Sequence, residues 1–168
     1  MKIIDSNNQT QSEALLNEYK GNIFEFLTGL YLAQTFNLEI LYLFNINDEI
    51  KERLSMYEEF VRLKFPQVHS ALNKLSQQTA IKIKESLDLK NQQVKQIDLI
   101  GKTVATNNNE IWGETDLALT LENAEILKIS LKLSKDNSYT NTKSAGIKSF
   151  IEKYFSNFKN ANQLQQNL

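Results

Sequence analysis

The stretch GETDLALTLENAEILKISLKLS, residues 113–134, contains two runs in which apolar residues alternate with polar ones. Successive residues of a β-strand point to opposite faces of a sheet, so every second residue shares a face. The apolar faces of the two runs carry Leu117, Leu119 and Leu121, and Ile129, Leu131 and Leu133. The pattern predicts two strands, at 114–121 and 126–133, joined across the short segment ENAE.

The opposite face of the same two runs is polar. It carries Glu114 and Asp116 in the first run, and Ser130 and Lys132 in the second. A three-residue hairpin loop with a bulge would place Asp116 beside Ser130 and Lys132 on the neighbouring strand. An acid, a hydroxyl and an ammonium group would then lie together on one surface. A plain alternative is a cross-strand ion pair between Asp116 and Lys132, which stabilises a sheet by about 0.2–1 kcal/mol.

Most of the chain before these strands has a helical pattern. Apolar residues recur at three- and four-residue intervals over 11–36, and two amphipathic helices follow within 48–91, broken at Pro66. The segment LEILYLF, residues 38–44, fits a helix or a short strand, and we favour the helix. The run VKQIDLIGKTV, residues 94–104, predicts a strand that precedes the other two.

These elements predict an α/β (α+β) domain in which helices flank a three-stranded meander. We expect one domain over 1–160, with a helical insertion at about 46–92 and a polar tail at 161–168. An apolar stripe predicts a last helix at 145–158. The residues Leu117, Leu119, Ile129 and Leu131 should pack against the first or the last helix.

The first predicted helix contains the segment KGNIFEFLTGLYLA, residues 20–33, which sets Glu25 between Gly21 and Gly29 at four-residue spacing. Glycines one turn away on either side would let a sheet approach this part of the helix closely. Glu25 would then lie near the sheet. The alternative is that Glu25 is an ordinary exposed helix residue.

Asp116, followed on the next strand by SLK at 130–132, resembles the motif of the PD-(D/E)xK nuclease superfamily, which has the restriction-endonuclease-like fold. By order of elements the resemblance extends from Glu25 to Phe158. It implies a metal-dependent nuclease that hydrolyses phosphodiester bonds in DNA.

The resemblance also implies roles for individual residues. The catalytic positions fall on Glu25, Asp116, Ser130 and Lys132. Asp116 would be the central ligand of Mg²⁺ or Mn²⁺, joined by Glu25 and by the backbone carbonyl of Leu131. Lys132 would orient the attacking water or stabilise the charge that develops on the phosphate.

Ser130 departs from the superfamily pattern, because an acidic residue is usual at its position. The serine removes one negative charge from the predicted metal site, and Glu114 on the same face could supply it. Two competing hypotheses follow. One is a catalytically silent domain of this fold that binds nucleic acid or a protein partner, and the other is an unrelated α+β interaction module.

Composition limits the partners that the chain can have. It has 19 basic and 20 acidic residues, no cysteine and one histidine, His69, so thiolate zinc sites are excluded and a metal would be held by oxygen. We do not place His69 in the site. Because the net charge of the chain is −1, it would bind nucleic acid through a local basic patch.

No apolar leader or membrane-length run is present, so we expect an intracellular, cytoplasmic protein without a membrane partner.

The segment LKLSKDNSYTNTKSAGIKSF, residues 131–150, is the predicted nucleic-acid-binding region. Its candidate phosphate contacts are Lys135, Tyr139, Lys143, Ser144 and Lys148, with a solvated loop as the alternative. The chain is short for a site-specific restriction enzyme, so we expect a partner subunit, a homodimer or a further domain to supply specificity. Trp112 and Gly113 predict a packed turn, with a base-stacking role for Trp112 as the alternative.

Overall fold

The computed structural model describes residues 9–101 and 112–133, with side chains from residue 13. This part of the chain is a mixed α+β structure in which four helices precede a three-stranded antiparallel sheet. The helices are α1 (Gln9–Thr35), α2 (Glu39–Asn45), α3 (Asp48–Lys64) and α4 (Pro66–Leu89), and the strands are β1 (Val94–Leu99), β2 (Leu117–Leu121) and β3 (Ile126–Ile129). The predicted helix at 145–158, the polar tail and most of the predicted nucleic-acid-binding region lie outside the described residues.

Local sequence signals account for the boundaries of α3 and α4. Asn47 caps α3 by accepting a hydrogen bond from the Ile50 amide at 3.1 Å. Pro66 is the first residue of α4, where its missing N–H is not needed by the helix. The prediction that Pro66 lies at a helix boundary is therefore confirmed.

The segment 38–44, which the sequence left open, is helical over most of its length. It becomes α2 after Asn37, whose φ of 58° lets the chain reverse at the end of α1. Tyr42 is 1% exposed, and its hydroxyl donates to the Phe26 carbonyl of α1 at 3.0 Å. This buried contact anchors α2 on α1.

Helices α3 and α4 pack against each other and against α1. Tyr19 of α1 stacks on Tyr57 of α3 with ring centroids 4.2 Å apart. His69 of α4 lies 3.1 Å from the Glu58 carboxylate of α3 and also contacts Asn73.

No helix in the described part of the chain is both long enough and apolar enough to cross a bilayer.

The sheet is the predicted antiparallel meander, with β2 in the centre. Leu117 pairs with Leu99 of β1 and with Ile129 of β3. Each strand is shorter than predicted. The chain leaves β1 at Ile100 and enters β2 from a turn at Gly113, where φ is 56°.

The hairpin between β2 and β3 has the odd loop length on which the predicted register depends. The Leu121 amide donates to the Glu125 carbonyl at 2.8 Å, which leaves Glu122, Asn123 and Ala124 in the loop. Ala124 takes the left-handed conformation, with φ of 66°. This is the geometry of a three-residue hairpin loop.

The apolar face of the sheet packs on α1. Leu117, Leu119 and Leu131 belong to one core cluster with Ile23 and Leu27, and Ile129 packs partly buried against it. The predicted packing against the first helix is confirmed.

Gly29 provides the close approach that the glycine spacing predicted, whereas Gly21 does not. A Cβ atom built on Gly29 would lie 2.7 Å from Tyr42 Cζ and 2.9 Å from Leu117 Cδ2. A Cβ atom built on Gly21 would meet no atom of the rest of the chain within 4 Å, apart from its own helix backbone and its chain neighbours. The prediction was therefore wrong for Gly21, because no other part of the described chain approaches the place where its side chain would be.

Candidate functional site

The backbone of Asp116 is hydrogen-bonded to β3 on one side and to the residues that follow β1 on the other. Its amide donates to the Ile129 carbonyl at 2.8 Å, and its own carbonyl accepts from Ile100 at 2.9 Å and from Gly101 at 3.3 Å. Because the backbone is held on both sides, the position of the side chain is set by the sheet rather than by a mobile loop. The strand alternation directs that side chain to the polar face.

The Asp116 carboxylate lies against the end of β3. Its Oδ2 atom accepts a hydrogen bond from the Leu131 amide at 2.5 Å and one from Ser130 Oγ at 3.4 Å. The predicted neighbourhood of Asp116 and Ser130 is confirmed. The charged carboxylate thereby satisfies a backbone N–H group at the point where the ladder ends.

Burial raises the pKa of Asp116 above its ordinary value, because half-burial removes much of the water that would stabilise the anion. The Leu131 amide, the positive charge of Lys132 and the Ser130 hydroxyl act in the opposite direction, and Glu114 raises the pKa further. The balance leaves a carboxylate whose ionised form is less favourable than that of an exposed aspartate.

Lys132 forms its ion pair with Glu114 rather than with Asp116. The Nζ atom lies 3.7 Å from Glu114 Oε2, and the two side chains are 45% and 53% exposed. An ion pair at this exposure contributes about 0–1 kcal/mol to stability. The alternative of a direct Asp116–Lys132 ion pair is thus replaced by a three-residue cluster in which Lys132 still acts electrostatically on Asp116.

Glu25 lies at the same end of β1 but is not a member of that cluster. A Cβ atom built on Gly101 would lie 3.2 Å from Glu25 Oε2, and the Gly101 amide donates to the Asp116 carbonyl. The charges that shift the pKa of Asp116 are those of Lys132 and Glu114, whereas Glu25 raises the pKa of Tyr42. Glu25 therefore reaches the backbone beside Asp116 from the helical side.

A groove between α1 and α3 opens beside Glu25. It is lined by Glu18, Asn22, Glu25, Ile50, Arg53, Leu54, Tyr57, Leu99 and Gly101. Within 9–101 and 112–133, no three acidic or histidine side chains gather closely enough to form a metal site by themselves. The predicted ligand set of Asp116, Glu25, Glu114 and the Leu131 carbonyl stays a prediction.

Asp98 is a candidate that the sequence did not single out. It pairs with Ala118 across the β1–β2 ladder, which puts it on the polar face with Asp116. Gln96 Nε2 donates to it at 2.8 and 2.9 Å, and Asn45 Nδ2 of α2 donates at 3.1 Å. The alternation of VKQIDL already separated Gln96 and Asp98 from the apolar residues, but only the register with β2 shows that they share a sheet face with Asp116.

Trp112 lies in the turn that enters β2, as predicted. Its carbonyl accepts from the Thr115 amide at 3.1 Å and also from the Thr115 hydroxyl. Lys128 Nζ of β3 lies 5.4 Å from the centroid of the Trp112 ring.

The predicted nucleic-acid contacts Lys135, Tyr139, Lys143, Ser144 and Lys148 all lie outside the described residues. No family model, curated protein or solved structure matches the chain.

Proposed function

We propose that the protein is a metal-dependent nuclease that hydrolyses phosphodiester bonds in DNA and has a core similar to that of the PD-(D/E)xK superfamily. The observation that carries the proposal is the Asp116 carboxylate, held against the Leu131 amide with Lys132 and Glu114 beside it. A half-buried acid with a raised pKa, next to a lysine, is an arrangement more common at functional sites than on inert sheet surfaces.

The proposed reaction needs a hard divalent ion, although the described residues do not by themselves gather three acidic or histidine ligands for one. Mg²⁺ prefers carboxylate, carbonyl and water oxygens, and carboxylate and carbonyl oxygens are available on Asp116, Glu114 and the end of β3. The Ser130 hydroxyl and the Leu131 amide both donate to Oδ2 of Asp116. An ion bound here would be held by Asp116, with Glu25 and the Leu131 carbonyl as further ligands and Glu114 as an additional candidate. When bound, the ion would supply positive charge to the phosphate and acidify a water molecule.

Lys132 has the chemistry of a residue that acts on the phosphate or on water. Its ammonium is already close enough to lower the pKa of Asp116. A positive charge at that position stabilises negative charge developing on phosphate oxygens and can donate a hydrogen bond to the attacking water. The pairing with Glu114 holds the ammonium on the polar face of the sheet.

The second candidate function is a nuclease-like domain that binds nucleic acid or a protein partner without cleaving. Ser130 favours this candidate, because it places a hydroxyl 3.4 Å from Asp116 where the superfamily pattern has an acid. Glu114, the nearest replacement for the missing charge, is paired with Lys132. In both candidates a homodimer or a partner subunit would contribute to the choice of target.

The experiment that separates the candidates is plasmid cleavage with Mg²⁺ and with Mn²⁺, using wild-type protein, Asp116→Asn and Lys132→Ala. Asp88→Asn on the exposed end of α4 is the matched control for the loss of one carboxylate. We expect cleavage by wild type and by Asp88→Asn only. Calorimetry should show metal binding lost in Asp116→Asn and kept in Lys132→Ala, because an ammonium repels the cation. Intact wild-type protein that cleaves neither double- nor single-stranded DNA would leave the non-cleaving candidate.

A further inference from the structure

We propose that Trp112 and Lys128 form a stacking platform that holds an unpaired nucleobase and its phosphate next to Asp116. The inference rests on the proposed function in one respect, that nucleic acid is the ligand of the polar sheet face. It adds a specific pair of contact residues and a preference for unpaired over paired bases.

Two hydrogen bonds connect the backbone of Trp112 to Thr115, the residue that precedes Asp116. Thr115 is 7% exposed and donates to the Trp112 carbonyl through both its amide and its hydroxyl. Gly113, with φ of 56°, allows the tight reversal between them. Since Thr115 directly precedes Asp116, the Trp112 backbone is hydrogen-bonded to the residue next to the one that carries the carboxylate.

Lys128 links the Trp112 ring to the strand that carries Ser130. It pairs with Ala118 in the β2–β3 ladder and lies two residues before Ser130, so it shares the polar face with Asp116 and Ser130. Its ammonium lies 5.4 Å from the Trp112 ring centroid. The Trp112 ring therefore contacts a side chain that starts from the same face as the acid.

An aromatic ring with an adjacent cation suits one ligand chemistry in particular. Every base has a flat π surface that stacks on an aromatic side chain, and a neighbouring lysine can pair with the phosphate of the same nucleotide. Trp112 keeps part of its surface in contact with solvent. A base inside a duplex is already stacked on both sides, so the platform favours a single strand or a base turned out of a duplex.

Trp112 is the only tryptophan in the chain, so its fluorescence reports on this platform alone. The probe is a short single-stranded oligodeoxynucleotide, titrated into the full chain with Ca²⁺ in place of Mg²⁺ to suppress cleavage. Binding is followed by anisotropy of a labelled oligonucleotide and by quenching of Trp112. We expect both signals to saturate together, with less quenching from the matching duplex.

Variants test the two residues separately. Trp112→Leu should weaken binding roughly 5- to 150-fold, the effect of losing one base stack, and Trp112→Phe should restore most of it. Lys128→Gln should lower the slope of log affinity against log salt by about 0.7. The matched controls are Phe44→Ala, an aromatic residue 81% exposed on α2, and Lys74→Gln on the exposed side of α4. Phe44→Ala should leave the affinity for the oligonucleotide unchanged. Lys74→Gln should change it only by the small effect of removing one distant positive charge.

The possible results separate this inference from the proposed nuclease activity. Oligonucleotide binding without Trp112 quenching, or equal affinity of wild type and a folded Trp112→Leu, overturns the platform while cleavage in Mg²⁺ can still stand. Quenching without cleavage supports the platform and refutes the nuclease. Absence of binding to any oligonucleotide overturns the platform.

Discussion

Gly29 of α1 is the position where a single methyl group should have the largest effect on the fold. In an ordinary helix, Gly→Ala increases stability, because alanine has the better helix propensity by about 1 kcal/mol. At Gly29 the added Cβ would lie 2.7 Å from Tyr42 Cζ and 2.9 Å from Leu117 Cδ2. Tyr42 and Leu117 are 1% and 0% exposed, so neither side chain can turn outward to make room.

The expected cost follows from these contacts. Overpacking a buried site costs about 1–3 kcal/mol. Displacing Tyr42 would also weaken its hydrogen bond to the Phe26 carbonyl, which contributes about 1 kcal/mol. After subtraction of the propensity gain, Gly29→Ala should lower the free energy of unfolding by about 1–3 kcal/mol, or the melting temperature by about 2–12 °C.

Gly21→Ala is the matched control, because the same change in the same helix meets nothing within 4 Å. It should raise the free energy of unfolding by about 0.5–1 kcal/mol. Urea and thermal unfolding followed by circular dichroism measure both variants. Tyr42→Phe in the Gly29→Ala background removes the Tyr42 hydroxyl, which is the atom nearest to the added Cβ, so the double variant should lose less stability than the sum of the single variants. If Gly29→Ala were as stable as Gly21→Ala, the contact between α1, α2 and β2 would be wrong.

Three further predictions concern titratable groups and the metal site. Burial raises the pKa of Tyr42, with Glu25 and Asp98 adding to the effect, so its contribution to stability is complete below its ordinary value of 10.0 and is lost as pH rises above it. Tyr42→Phe should therefore flatten the loss of stability at alkaline pH in urea titrations. The pKa of Asp116 is also raised, so its contribution is largest below 3.8 and declines as pH rises through the folded value. At neutral pH, Asp116→Asn should be at least as stable as wild type in urea unfolding while cleavage is lost, and a clear loss of stability would indicate a structural role. Ser130→Glu should tighten Mg²⁺ binding in calorimetry if the serine weakens the metal site, and unchanged binding would favour the non-cleaving domain.

The order of elements was predictable because it depends on local rules. Alternation within 114–121 and 126–133 favours strands, and a proline such as Pro66 is compatible with the first turn of a helix but not with its interior. The strand ends were not predictable to the same degree. The hydrogen bonds from Ile100 and Gly101 to the Asp116 carbonyl close that end of the ladder, and they join residues remote in sequence.

The placement of α2 shows the limit of periodicity. A seven-residue apolar segment fits a helix and a strand equally well by its pattern. Its state follows from Tyr42, whose ring fills the space that Gly29 leaves on α1 and whose hydroxyl bonds to Phe26. Neither contact can be inferred from residues 38–44 alone.

For the candidate site, the residue pattern was enough to predict which side chains share a face. The two-residue period of a strand, combined with an odd hairpin loop, is enough to put Asp116, Ser130 and Lys132 together. The partners of the individual side chains became visible only in the folded chain: the Leu131 amide for Asp116, Glu114 for Lys132, and the segment at Gly101 for Glu25. The two kinds of information differ in length scale. Register places residues to within a strand spacing of about 5 Å, whereas a hydrogen bond or ion pair depends on differences of less than about 1 Å, which only the packing of helices and strands determines.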